Sequence, residues 1–137
     1  MYDYMYDLHF NESSAETQGS KESTFIWADF AFFIRWWTFD AKANVREGMK
    51  KLIEMGYFGF EHGGMIQHDE ALSDYKGIII TFDSSLQFIK ENFPGARLPK
   101  VAFSIDSFGH SSLSPYIFKA LGHEAIVIYR MPYDLYK

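Results

Sequence analysis

Four short apolar runs alternate with longer stretches of helical periodicity, and that alternation narrows the folds open to this chain. The first run, "TFIWADFAFFIRWW" from Thr24 to Trp37, begins rich in β-formers and becomes almost continuously apolar, which predicts a buried strand passing directly into a buried helix. In "AKANVREGMKKLIEMG" the apolar residues Val45, Met49, Leu52 and Ile53 recur at helical spacing, and Gly56 sits where a helix would end. "YFGFE", Tyr57 to Glu61, reads as a second strand. A long helical pattern then starts at Asp69 and is stopped by Pro94 and Gly95. "KVAFSID" predicts a third strand, "LSPYIFKALG" a helix closed by Gly122, and "EAIVIY" from Glu124 to Tyr129 a fourth strand. The alternation argues for a parallel sheet with crossover helices. The expected fold class is therefore α/β, a partial β/α barrel of about four parallel strands, with no internal repeat.

Length and composition bound what such a fold could do. A chain of 137 residues with 47% apolar and 19% aromatic residues is sized for one domain and too hydrophobic to be disordered. Yet 14 Phe, 9 Tyr and 3 Trp are many rings for one small core, which suggests a piece of a larger body. "NESSAETQGSKES", Asn11 to Ser23, is polar and small, so residues 1–23 are expected to form a polar N-terminal segment ahead of an α/β body over 24–137. Asn11 also opens a glycosylation sequon. The net charge of −5, with no basic run longer than Lys50 and Lys51, excludes an electrostatic footprint for nucleic acid. Without cysteine, any metal must be held by histidines and carboxylates. The first twenty residues lack the basic start and apolar centre of a signal peptide, and no apolar run approaches the roughly 18 to 20 residues of a membrane span.

Parallel α/β folds collect ligands at the carboxyl ends of their strands, where Glu61, Asp106 and Arg130 are expected to meet. Asp106 is the foremost candidate, because a carboxylate closing an apolar strand needs a cation or a network of donors. Its alternative is a helix cap for the next element. Gly109 would let the following loop turn tightly, and His110 could bond a nearby carboxylate. Asp69 and Glu70 form a second acidic cluster with His68; there, Asp69 would cap the long helix and Glu70 would occupy its first turn. Arg130 could hold an Asp carboxylate or form a plain structural ion pair. No phosphate-binding glycine loop, HExxH or GxSxG is present, which removes the common signatures of nucleotide binding, zincin proteolysis and serine esterase chemistry.

From Phe25 to Lys137 the chain resembles the N-terminal catalytic domain of glycoside hydrolase family 38, the class II α-mannosidases, and most of all the lysosomal type. "FAFFIRWW", "GFEHGGMIQHDEALSDY", "FSIDSFGHS" and "IVIYRMPYDLYK" are similar to four of its segments, in the same order. The resemblance implies that Asp106 is the catalytic nucleophile and one ligand of an active-site Zn²⁺, that Arg130 lies beside it, and that residues 24–137 are part of the family's catalytic domain. The implied substrates are mannosyl glycans of glycoproteins, and the implied location is the lysosome or secretory lumen. Departures accompany the match. None of the five histidines opens the family's His-x-Asp zinc motif, and the acid/base Asp and a later His ligand have no counterpart. Met65 stands where the family has Trp, and Ser107 where it has Pro. The chain alone is therefore expected to be an inactive fragment, with the remainder of the catalytic domain as its partner. Two alternatives are a truncated non-catalytic homologue with at most weak sugar binding and, ranked last, a metal-dependent deacetylase of related barrel shape.

Overall fold

A computed structural model describes residues 24–131, and the Asn11 sequon and the polar N-terminal segment lie outside the described residues. Strand β1 (Phe25–Trp27) leads into helix α1 (Phe30–Arg35), which continues as one wider helical turn over Trp36–Asp40. That turn is closed by the Ala41 N–H donating to the Trp36 carbonyl at 2.9 Å. It brings Trp37 inward beside Phe33, so both rings are buried. Helix α2 (Ala43–Glu54) buries Val45, Met49, Leu52 and Ile53, the stripe its spacing predicts, and ends at Gly56 with φ +78°. Strand β2 (Phe58–Phe60) follows, then α3 (Tyr75–Asn92), β3 (Val101–Ser104), α4 (Leu113–Ala120) and β4 (Ala125–Ile128).

The long helix begins six residues later than its sequence pattern suggests. Asp74, in an extended conformation, accepts the N–H groups of Lys76 and Gly77 at 2.9 and 3.1 Å on one carboxylate oxygen, and so caps α3. Asp69 instead accepts the Ala71 N–H at 2.8 Å and folds the preceding segment into a turn. Neither Asp69 nor Glu70 belongs to the helix, which frees both for other work.

Among the described residues all strand pairing is parallel, as the alternation requires. β1 pairs with β2 from Phe25 opposite Phe58 to Trp27 opposite Phe60, and β3 pairs with β4 from Val101 opposite Ala125 to Ser104 opposite Ile128. The two pairs are stitched together where β2 ends. His62 has φ +62°, which bends the backbone out of its ladder, and its N–H reaches the Val101 carbonyl at 2.7 Å. Glu61 adds a carboxylate oxygen that accepts the N–H groups of Lys100 and Val101. Among the described residues the result is an α/β fold of two two-stranded parallel sheets, β1 with β2 and β3 with β4, with helices between successive strands.

Two apolar clusters support it, and α3 contributes to both. Under β1 and β2 lie Phe30, Phe33, Trp37, Met49, Leu52, Phe58, Phe60, Ile89 and Phe93, with Phe33 edge-on to Phe60 at 5.0 Å and Trp37 edge-on to Phe93 at 4.7 Å. Under β3 lie Ile78, Phe82, Ala102, Ile117 and Phe118. Rings also remain outside: Phe32, Phe39, Phe108, Tyr116 and Tyr129 are exposed, in keeping with the surplus of aromatics in the sequence.

Candidate active site

The carboxyl ends of β1 and β3, together with the loop after β2, enclose a pocket of about 310 Å³. It is lined by Asp29, Phe32, Ile66, Gln67, His68, Asp69, Ser104, Asp106, Ser107 and Phe108. One wall is tied to another by the Gln67 N–H, which donates to the Asp29 carboxylate at 3.0 Å, and by the Ile105 N–H, which donates to the Gln67 side-chain oxygen at 3.3 Å.

Strand β3 stops at Ser104, and Asp106 lies two residues further on in a bend, with its side chain 69% exposed. Its Oδ1 meets Nη2 of Arg130 at 2.6 Å. Arg130 follows β4 in the left-handed backbone region, φ +55°, and its guanidinium lies 5.5 Å from the centre of the Phe108 ring. An exposed pair of this kind adds at most about 1 kcal/mol to stability, so its consequence is orientation. The capping alternative for Asp106 does not hold. Ser112 occupies the cap position of α4, no side chain caps it there, and the Leu113 N–H goes to the Ser111 hydroxyl at 3.2 Å. Among the described residues the second carboxylate oxygen of Asp106 has no partner and is free to act.

Glu61 does not join this pair. Its carboxylate is turned to the start of β3 and spent on the Lys100 and Val101 amides, because β3 begins where β2 ends. The strand-end position is as expected, but its role is to join the two strand pairs.

Glu70, of the acidic cluster with His68 and Asp69, supplies a second carboxylate near the pocket instead of sitting in the first turn of α3. The Glu70 side chain is only 4% exposed. It accepts the Ser104 hydroxyl on one oxygen and the Ser111 N–H at 2.8 Å on the other, and His110 Nδ1 stands 3.3 Å from the first oxygen. Burial opposes its ionisation, but the bonds from Ser104, the Ser111 amide, Ser114 and His110 outweigh that and hold the carboxyl below its ordinary range. His110 thus bonds a carboxylate, as its sequence position suggests, and Gly109 turns the loop with φ +137°. His68 lines the pocket and approaches the Ser114 hydroxyl through Nε2 at 3.4 Å, while burial pushes its pKa down against the pull of Glu70 and Asp69.

Beneath the pocket, His62 is fully buried. Its Nδ1 accepts the Phe103 N–H at 3.2 Å, so Nε2 carries the hydrogen that faces the Ile66 carbonyl at 3.4 Å. Burial lowers its pKa to about 4; the Ile66 carbonyl pulls the other way, and His68 and His123 push it further down. It is a neutral structural group at neutral pH. Among the described residues no three His, Asp or Glu side chains stand where they could hold a metal ion. Asp106 alone does not fit a zinc ion, which takes three or four protein donors.

A profile of the glycosyl hydrolases family 38 N-terminal domain matches residues 5–137. Over 113 residues, 82% of this chain, it is 38% identical to a protein described as lysosomal alpha-mannosidase of Dictyostelium discoideum, and it is 33% identical over 110 residues to the proteins of the same description in Mus musculus and Homo sapiens. The chain spans about 11% of the length of these relatives.

Proposed function

The chain belongs to glycosyl hydrolase family 38, and from that premise we propose that it forms part of the catalytic domain of a retaining α-mannosidase that removes terminal α-mannosyl residues from glycoprotein glycans. Asp106 is the nucleophile. The observation that carries this reading is its placement: a carboxylate just past a parallel strand, on a pocket of about 310 Å³, with one oxygen held by Arg130. A retaining glycosidase needs such an oriented group. The second oxygen of Asp106 attacks the anomeric carbon, forming a glycosyl ester as the bond to the leaving oxygen breaks. A second carboxyl group protonates that oxygen, and water then hydrolyses the ester. The exposed Phe32 and Phe108 at the pocket rim offer apolar surface to a sugar ring.

In this reading Asp106 is also one ligand of a zinc ion, whose other donors and the acid/base carboxyl lie outside residues 24–131. The chain alone is then inactive, and the working unit is the complete catalytic domain. The relatives described as lysosomal favour a lysosomal location. No helix among the described residues is long and apolar enough to cross a membrane.

The test is Asp106→Asn in the full-length protein, assayed with a chromogenic α-mannoside. Turnover should fall by at least about a thousandfold, the scale seen when a covalent nucleophile is removed. Turnover within about twofold of the parent contradicts the assignment. The second reading, a homologue that binds sugar without cleaving it, draws on Ser107, which lines the pocket, and on Met65. It requires calorimetric mannose binding that is indifferent to zinc and a parent protein without turnover.

A further inference from the structure

The loop between β3 and α4 carries Asp106, and its own backbone does little to hold it. Ile105, Asp106, Phe108, Gly109 and His110 are all exposed, and Gly109 allows it a wide range of conformations. Apart from Arg130 on Asp106, what holds the loop comes from the segment that precedes α3, through Gln67 and Glu70. We propose that Glu70 is a positioning residue that clamps both feet of this loop, and so fixes the place of Asp106 in the pocket; the proposal rests on the mannosidase reading above.

The geometry supports a clamp rather than an incidental contact. Ser104 is the last residue of β3 and Ser111 stands just ahead of α4, so the two partners of the Glu70 carboxylate bracket Asp106 on either side. One oxygen takes the first foot and the other takes the second. His110 adds a third contact from within the loop. A carboxylate with 4% exposure is expensive to bury without such donors, and bonds to a charged acceptor are stronger than neutral ones. The network continues outward: Ser114, in the first turn of α4, favours the ionised Glu70 carboxyl and approaches Nε2 of His68 on the pocket wall at 3.4 Å. Glu70 therefore connects the loop carrying the nucleophile to a second wall of the same pocket. Its side chain does not line the pocket, so it acts through the loop and not on the sugar.

The test compares Glu70→Leu and Glu70→Gln in the full-length protein. The Leu variant removes every contact. The Gln variant keeps the shape, can still accept the Ser111 N–H and can donate to the Ser104 hydroxyl. The expected result is graded: kcat falls about 10- to 100-fold in Glu70→Leu, as for a small misplacement of a reacting group, and less in Glu70→Gln, with KM within about threefold of the parent in both. Hydrogen exchange at Ile105 to Ser111 should quicken in the same order while α2 stays protected. Unchanged loop exchange and unchanged kcat in Glu70→Leu overturn the proposal, and so does a rise in exchange spread equally over α2. Should the Leu variant fail to fold, Glu70→Gln decides, and a Gln variant equal to the parent in both readouts overturns it. A parent protein that does not cleave mannosides sinks the mannosidase reading instead, and the exchange comparison still decides the role of Glu70.

Discussion

Replacing His62 by Asn should flatten the acid side of the stability curve, and the size of the effect follows from its surroundings. The imidazole is fully buried, and the cause of its low pKa is first the loss of water, then the nearby His68 and His123, opposed by the Ile66 carbonyl. Its pKa is about 4 in the folded protein against 6.5 in the unfolded chain. The unfolded state therefore binds the proton first as pH falls. Stability is full above pH 6.5 and drains away as pH drops toward 4. At 1.36 kcal/mol per pKa unit the gap is worth about 3 kcal/mol in total, most of which should be lost between pH 7.0 and 4.5. The structural reason is local: a protonated Nδ1 would point a hydrogen at the Phe103 N–H, three residues before Asp106. Asn is suited as the replacement because it tolerates the left-handed backbone at this position, φ +62°. The assay is a urea titration of both proteins at the two pH values. Carboxylates titrate alike in both, so the difference between the two drops isolates His62. The parent should lose about 2 to 3 kcal/mol more than His62→Asn. Equal drops would refute the reasoning, because they would mean that the imidazole is no harder to protonate folded than unfolded.

Phe33→Ala should cost about 3 to 5 kcal/mol in denaturant titrations, since the ring is fully buried and meets those of Phe30, Trp37, Phe58, Phe60 and Phe93; a cost below about 1 kcal/mol would mean that the aromatic cluster is loosely packed. Asp74→Ala should cost about 1 kcal/mol by removing the cap of α3. Asp69→Ala should leave the protection of the first α3 amides unchanged, and the reverse ranking in hydrogen exchange would restore Asp69 as the cap.

The alternation of apolar runs and helical stripes carried the fold, because each element buries one face and the period of that face is visible in the chain. Val45, Met49, Leu52 and Ile53 form the buried stripe their spacing implies, and both strand pairs among the described residues are parallel. The start of α3 was harder to read, since Asp69 and Asp74 are both good capping residues ahead of a helical pattern, and only the hydrogen bonds choose between them. The wider turn at Trp36 to Asp40 leaves no periodic trace over five residues. In the site, the strand-end rule located Asp106 and Arg130, which the fold brings to 2.6 Å of each other. The same rule misplaced Glu61, because it does not say which way a side chain turns. Glu70 stood out in the sequence only as part of the cluster with His68 and Asp69 in a helical first turn, and its grip on the β3–α4 loop was not visible because its partners lie 34 to 41 residues along the chain, beyond any local pattern. His62, in "EHGGM", reads as loop, and its burial arises only when β3 and α4 close over it.

The central claim is that Asp106 bonds to the sugar. Full-length protein treated with a slow, fluorinated mannosyl substrate and digested should yield one glycosylated peptide, with the added mass on Asp106. An adduct on any other carboxylate, or none under conditions where the substrate is consumed, would contradict it.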